Sequence, residues 1–550
     1  MKKIFLLVII SFCILGIYNI SQNINVINKV EYELINDYKK MSMDSEGEKT
    51  LTDEVLVKVQ LKYDDFTKLA STDVSNQEKY RNEAKEYYTE NNEKYLSSIN
   101  LKNYRSVYIS KFAPYIEFTY QRDKYFEYKD NIANEINKNT NIETAYIKDI
   151  TINKVEQVWE ARYFAGVSES LRDNTNTYTG QGIKVGVLEI GLVDANAACF
   201  SPNQVVTHIQ NTPNESIEDH STHMAAYIAG SDGIASQAKI YSSYLWGSPT
   251  EELDWLIDNG VNIINMSFGE INPTGNYSSD SAYFDLMVNA YKVTLVSSVG
   301  NMGTSNALVC NPALAYNVIG VGAATINGIP ENFSSYIEYS GGPKPTIMAL
   351  GNTILLNSLG VGNTGTSVSC AIVSGIIALL MQQYPELKQY PELVISALVS
   401  SAYQNPYASL MANGLTNSGG AGLIRYDQFH DAMIDYEYIT ANIGVLLTFI
   451  LSKNVTLTAG ETFKACLAWT SYTNGSISSL KVSNYDLYLY DSEGNVVATA
   501  CSTDSNIELL QYYVEEGGEY VLKIRQVTFI AKVAEKVALT TTVMPDEINY

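Results

Sequence analysis

Three side-chain types in combination turn a neutral hydroxyl into a nucleophile: a serine, a histidine that takes its proton, and a carboxylate that orients the histidine. Histidine is scarce in this 550-residue chain, occurring only at His208, His220, His223 and His430. Two of the four lie three residues apart among small residues, in Asp219-His-Ser-Thr-His-Met-Ala-Ala-Tyr-Ile-Ala-Gly230. A lone histidine there would be a packing residue; the pair raises the case for a base. The segment Asn363-Thr-Gly-Thr-Ser-Val-Ser-Cys-Ala-Ile-Val-Ser-Gly375 runs from a glycine-containing loop into a long apolar stretch, with Ser367 at the entry. Serine at that place either caps the helix N-terminus or is a nucleophile whose neighbouring N–H groups and helix dipole stabilise negative charge. The apolar run Ile183–Leu188 ends at Glu189. A carboxylate at the C-terminal end of a buried parallel strand lies where such sheets place ligands and catalysts. The alternative is a strand-end residue that caps the next turn.

The elements that would carry these residues follow from composition and periodicity. Hydrophobic residues make up 46% and charged residues 18%, which is ordinary for a globular chain with ample core. The length suggests about three units. The formal net charge of -23 disfavours nucleic acid as a partner. An acidic balance also suits structural calcium, although no regular calcium-loop pattern occurs. Residues 1–21 begin with Lys2 and Lys3 and continue as an uncharged apolar run, the pattern of an export signal. No Ala-x-Ala cleavage site follows, so membrane attachment arises only if that segment stays uncleaved. Secretion or display at the cell surface is therefore expected. In the exported part, Cys466 and Cys501 could pair, or all five cysteines stay as buried thiols.

Residues 22–150 read as strand, helix, strand, strand, helix, strand, a small ferredoxin-like α+β layout. Residues 151–180 read as a linker. Residues 181–437 alternate short apolar strands with helices, which implies a parallel sheet covered on both faces. Residues 440–550 show alternating strands and glycine-containing turns, as in an antiparallel β-sandwich. The turn Asp491-Ser-Glu-Gly-Asn495 should close a hairpin there.

With these segments in view, the chain resembles the subtilisin-like serine peptidases, the subtilases of peptidase family S8. Gly182-Ile-Lys-Val-Gly-Val-Leu-Glu-Ile-Gly191 is similar to the family's aspartate segment, His220-Ser-Thr-His-Met-Ala-Ala226 to its histidine segment, and Gly365-Thr-Ser-Val-Ser-Cys-Ala-Ile-Val-Ser-Gly375 to its serine segment. They occur in the subtilisin order of acid, base and nucleophile. Val261-Asn-Ile-Ile-Asn-Met-Ser-Phe-Gly269 resembles the strand that lines the substrate cleft, and Val299-Gly-Asn-Met-Gly303 the turn that supplies a side-chain oxyanion donor. The resemblance implies Ser367 as nucleophile, His220 as base, Glu189 as orienting acid and Asn301 as oxyanion donor. It implies Ser267, Phe268 and Gly269 as substrate-binding. It further implies a secreted endopeptidase acting on proteins or peptides, with residues 22–150 as an inhibitory propeptide removed by a cut in the linker. The last unit resembles the prepeptidase-type C-terminal sandwich. No cofactor is required for that chemistry.

The chain departs from the family pattern in four places. Glu189 stands where aspartate is expected, and the extra methylene moves the carboxylate by ~1.5 Å on an unchanged backbone. Asp194, past a glycine turn, is the nearest substitute acid. Ser221 and Ala226 replace two glycines, and Ala371 replaces a proline. His223 reads as a helix residue behind the site and Cys370 as a packed thiol. Glu189 motivates the competing reading, a catalytically impaired pseudoprotease that acts as a binding or scaffold protein. An adhesin working through residues 440–550 is a third, with no ligand indicated.

Overall fold

The structure is a computed structural model. It describes residues 30–32, 50–63, 77–152, 165, 167, 178–210, 215–245, 249–269, 275–303, 309–337, 344–352, 354–356, 358–404, 409–426, 429–441, 447–528 and 535–544. The expected export segment 1–21 lies outside the described residues, as does most of the expected linker 151–180. The chain divides into two compact units. One takes residues 1–45, 51–71 and 82–151, and the other takes 46–50, 72–81 and 152–550.

Apart from residues 50, 77–81 and 152, which fall in the second, the first unit is built from β1 (Val30–Tyr32), β2 (Thr50–Leu61), α1 (Gln77–Leu96), β3 (Ser106–Ile109), β4 (Tyr115–Gln121), α2 (Arg122–Lys138) and β5 (Ile142–Ile152). The sheet order is β1-β5-β2-β4-β3. Without the short edge strand β1, this is the 4-1-3-2 order of the ferredoxin-like layout expected from sequence. The alternating valines of β2, Val55, Val57 and Val59, are fully buried and pack with Phe118, Tyr120, Ile132 and Ile136. The alternation predicts a half-buried strand, yet the intervening Leu56, Lys58 and Gln60 are buried too, so both of its faces are covered.

The second unit contains a seven-stranded sheet. Its strands and helices are β6 (Lys184–Glu189), β7 (Val205–Thr207), α3 (Asp219–Ala229), β8 (Lys239–Tyr244), α4 (Thr250–Asp258), β9 (Ile263–Met266), α5 (Ser279–Tyr291), β10 (Thr294–Ser298), β11 (Ile319–Ala324) and β12 (Ile347–Leu350). The order is β12-β11-β10-β9-β6-β8-β7, and every pairing is parallel. Strands such as Ile319–Ala324 are buried along their whole length, because helices cover both faces. A short hairpin, β13 (Ile354–Leu356) and β14 (Val361–Asn363), leads into α6 (Thr366–Gln383). Helix α6 is apolar on all sides and buried from Thr366 to Met381. Among the described residues it alone is long and apolar enough to cross a membrane, and it is a core helix.

After α7 (Pro391–Ser401) and α8 (Phe429–Ile434), the chain forms two antiparallel sheets. Their strands are β15 (Tyr436–Ala441), β16 (Thr448–Leu457), β17 (Thr462–Trp469), β18 (Asn484–Tyr490), β19 (Val496–Ala500), β20 (Ile507–Tyr513), β21 (Gly518–Thr528) and β22 (Glu535–Met544). The orders are β15-β22-β17-β20 and β16-β21-β18-β19. As expected, the turn after Tyr490 closes the β18–β19 hairpin, with the Asp491 carboxylate accepting from the Glu493 and Asn495 amides.

Period-two alternation on β17 decides what each face meets. Ala465, Leu467 and Trp469 enter the sandwich core. Cys466 and Ala468 join the core that includes α6 and α7. Ser396 of α7 donates to Cys466 O (2.8 Å), and Ser396 and Ser400 each lie 2.8 Å from the Thr540 hydroxyl. The sandwich is therefore packed onto the parallel-sheet region along α7. All five cysteines among the described residues are free, so the considered Cys466–Cys501 bridge does not form. Cys466 points toward α7, whereas the Cys501 thiol lies 4.0 Å from Leu487 O on the other sheet.

Lys464 shares the Cys466 face and is buried. Its ammonium donates to Ala402 O, at the C-terminus of α7, where the helix dipole favours a cation. Desolvation dominates, and pushes the Lys464 pKa down to about 7. The unfolded chain therefore holds more protons than the folded one between about pH 7 and pH 10.5, so this residue's contribution to stability rises across that window, at up to about 1.4 kcal/mol per unit. Thermal melts of wild type and Lys464→Met at pH 6.5, 8 and 9.5 should show wild type gaining on the variant as pH rises. An unchanged difference between the two would contradict this.

Candidate active site

In an open parallel sheet, ligands bind beyond the carboxyl ends of the strands where strand order reverses. Here that point is the β6–β9 boundary: β7 and β8 lie to one side of β6, and β9 to β12 lie to the other. Neighbouring strands β6, β9 and β10 end beside one another. Glu189 is the last residue of β6, Ser267 follows β9, and Asn301 lies three residues beyond β10. Helices α3 and α6 bring His220 and Ser367 in their first turns.

Glu189 is fully buried and His220 nearly so. Glu189 Oε2 approaches His220 Nδ1 to 3.3 Å, the separation of an ion pair without an aligned hydrogen bond. Among the described residues the carboxylate has no hydrogen-bond partner, and the buried Ser221 hydroxyl beside His220 has none either. Asp194 is engaged elsewhere: its carboxylate accepts from Asn196 N (2.9 Å) and its amide donates to Thr222 Oγ1.

Ser367 does not cap α6. The N-cap is Gly365, and Ser367 is the second helical residue. Its hydroxyl donates to Ser267 O at 2.8 Å, and the Ser267 hydroxyl donates back to Ser367 O at 2.9 Å. The helix is capped instead by Asn301, whose Oδ1 accepts from both the Thr366 amide and the Thr366 hydroxyl, each at 2.9 Å. Those two donors fix the amide orientation, so Asn301 Nδ2 is turned away from Thr366 and remains available to an acceptor. Gly365 is needed at this corner: its φ is 149°, and a Cβ there would lie 3.2 Å from Asn301 Nδ2.

The Ser267-Phe268-Gly269 segment continues from β9 alongside this corner. Ser298 Oγ donates to Phe268 O (3.4 Å), and a Cβ on Gly269 would lie 2.4 Å from Cys310 Cβ. The segment is thus packed against the β10 end and the Cys310 side chain.

Two residues set aside in the sequence reading have defined partners. His223 Nδ1 meets Asn363 Oδ1 at 3.1 Å. Asn363 Nδ2 donates to the Tyr227 hydroxyl, which makes Asn363 Oδ1 the acceptor and the His223 nitrogen the donor. This ties the histidine helix to the strand before the Ser367 loop. Cys370 is fully buried, and burial pushes its thiol up to about 12, so it stays protonated and is no competing nucleophile. Periodicity did not reveal Thr366 or Asn363; their hydrogen bonds join segments 65 and 140 residues apart. Among the described residues no cluster of three or more His, Cys, Asp or Glu side chains has the placement to hold a metal ion.

The model of the subtilase family, Peptidase_S8, matches residues 169–423, the span that holds all these groups. A thermostable alkaline protease of Halalkalibacterium halodurans is 30% identical over 270 residues, which cover 44% of this chain and 68% of the relative. Subtilisin BL of Lederbergia lenta is 30% identical over 274 residues, covering 45% of this chain and 90% of the relative. The solved structure of the Prenylagaramide maturation protease PagA is 27% identical, covers 45% of this chain and 92% of its own, and superposes with a TM-score of 0.38. The extent and identity of the protease matches settle the membership: this chain belongs to the subtilase family of serine proteases.

Proposed function

We propose that the chain is a secreted serine endopeptidase made as a self-processed zymogen, with Ser367, His220 and Glu189 as its triad and Asn301 as oxyanion donor. One observation carries most of this reading. Asn301 caps α6 through its oxygen, which leaves its Nδ2 without a hydrogen bond to the described residues, beside the helix turn that holds Ser367. Amide donors fixed before reaction are what stabilise a developing oxyanion at least cost.

In the resting conformer the Ser367 hydroxyl donates its proton to Ser267 O. Rotation about χ1 of Ser367 turns that proton toward His220, as catalytic hydrogen bonds commonly tighten only with substrate bound. Ser367 Oγ then attacks the peptide carbonyl carbon while His220 takes the proton. The carbonyl oxygen becomes an oxyanion held by Asn301 Nδ2 and the Ser367 N–H. His220 returns its proton to the leaving amine, and the C–N bond breaks to leave an acyl-enzyme. Water repeats the sequence and releases the acid. Glu189, buried against Nδ1, holds the tautomer and offsets the imidazolium charge. Residues 22–150 would serve as the intramolecular inhibitor and leave after a cut within 151–180. No cofactor enters these steps, and structural calcium would affect stability alone.

A fluorophosphonate probe should label Ser367 in wild type and not in Ser367→Ala, and mass spectrometry should find a cut within 151–180 in wild type only. A folded wild type that is neither labelled nor cut would instead favour a binding or scaffold protein. Asn301→Ala should lower kcat on a peptide substrate by ~10²–10³ with KM little changed. Glu189→Asp withdraws the carboxylate by ~1.5 Å from a backbone already spaced for glutamate, so kcat should fall by about 10²-fold. A rise in kcat would show that the glutamate is a handicap.

A further inference from the structure

Strand β9 reads Ile263-Ile-Asn-Met266, and its one polar side chain lies in the middle of the parallel sheet, between Val187 of β6 and Val296 of β10. Asn265 is fully buried. An unsatisfied amide there would cost on the order of 1–3 kcal/mol. It is instead satisfied on both sides. Its Oδ1 accepts from Cys370 Sγ (3.2 Å) and Ser374 Oγ (3.0 Å), and its Nδ2 donates to Ser267 Oγ (2.9 Å).

These partners are not scattered. Ser367, Cys370 and Ser374 stand at i, i+3 and i+7 on α6, one face of one helix. The same face that presents Ser367 at its first turn presents the two donors to Asn265 below it. Those donors fix which end of the amide is oxygen. That leaves Nδ2 toward Ser267, whose hydroxyl then accepts from Asn265 and must direct its own proton to Ser367 O. Ser267 O in turn holds the Ser367 hydroxyl. The ring closes through strand and helix, and Asn265 sets its direction.

We infer that Asn265 is a positioning residue for Ser367: its amide orients the Ser267 hydroxyl, which fixes the backbone of the nucleophile relative to the strand end. The inference rests on the endopeptidase reading, because it concerns the placement of the same serine. An asparagine kept only to satisfy the sheet interior would affect stability and leave catalysis alone.

The two roles separate in a pair of variants. Asn265→Ala should fold and lower kcat by ~10–10² with KM within about twofold, and should slow fluorophosphonate labelling of Ser367 in proportion, since small misplacements of a reacting group carry costs of that size. Asn265→Asp keeps the shape. While protonated, its carboxyl still donates to Ser267 Oγ; once ionised it only accepts, and the Ser267 proton turns away from Ser367 O. Its kcat should therefore lie near that of wild type at low pH and fall through an added ionisation that the wild-type profile lacks. The wild type is assayed first. An unreactive wild type overturns both the endopeptidase reading and this inference. A reactive wild type overturns this inference alone if folded Asn265→Ala keeps wild-type kcat, or if the Asn265→Asp profile runs parallel to that of wild type. Should Asn265→Ala fail to fold, the Asn265→Asp profile decides.

Discussion

The burial of α6 is the constraint from which the rest of the site follows. Every residue from Thr366 to Met381 is withdrawn from water, so this helix has no freedom to slide or tilt without opening the core. It packs with Val296, Ile319, Ile347 and the small residues of α3 in one cluster. A helix so placed aims its N-terminus at the ends of β9 and β10, and its first turn carries Ser367. The unpaired N–H groups of that first turn make the same place favourable for negative charge. The position of the proposed nucleophile and a setting that favours negative charge thus come from a single packing decision.

Asn301 illustrates how one side chain can serve fold and site together. Its oxygen satisfies an orphan amide at the start of α6, a role that a serine or aspartate N-cap plays in most helices. Gly365, with φ of 149°, supplies no side chain for that task. Capping from a distant loop costs more chain entropy than a local cap. It also fixes the asparagine, and a fixed donor needs no reorganisation when charge develops nearby.

Much of this was legible in the sequence because it depends on local pattern. The parallel strands were readable as continuous apolar runs, the valine alternation of β2 as one buried face, and Asp491–Asn495 as a turn. Ser367 and His220 stood out through residue type and segment order, and Asn301 only through the resemblance of its turn to the family's. What stayed hidden depends on contacts between distant segments. Asn265 is a single polar residue in an apolar strand, and its meaning appears only when Cys370 and Ser374, more than a hundred positions later, are laid over it. The state of Cys466 was hidden for a related reason. Two cysteines in one antiparallel domain invite pairing, but strand parity turns Cys466 outward to α7, a helix from another stretch of chain.

Glu189 gains its character from the same distinction between type and placement. A carboxylate at the end of β6 is dictated by the strand, but its reach is set by where α3 holds His220. The longer side chain spans the gap to 3.3 Å and stops short of an aligned bond, and neither oxygen finds another partner among the described residues. A buried carboxyl group with one imperfect partner lacks the hydrogen bonds that usually offset its burial. The extra methylene of glutamate thus brings the carboxylate to the imidazole, while the helix sets the final separation.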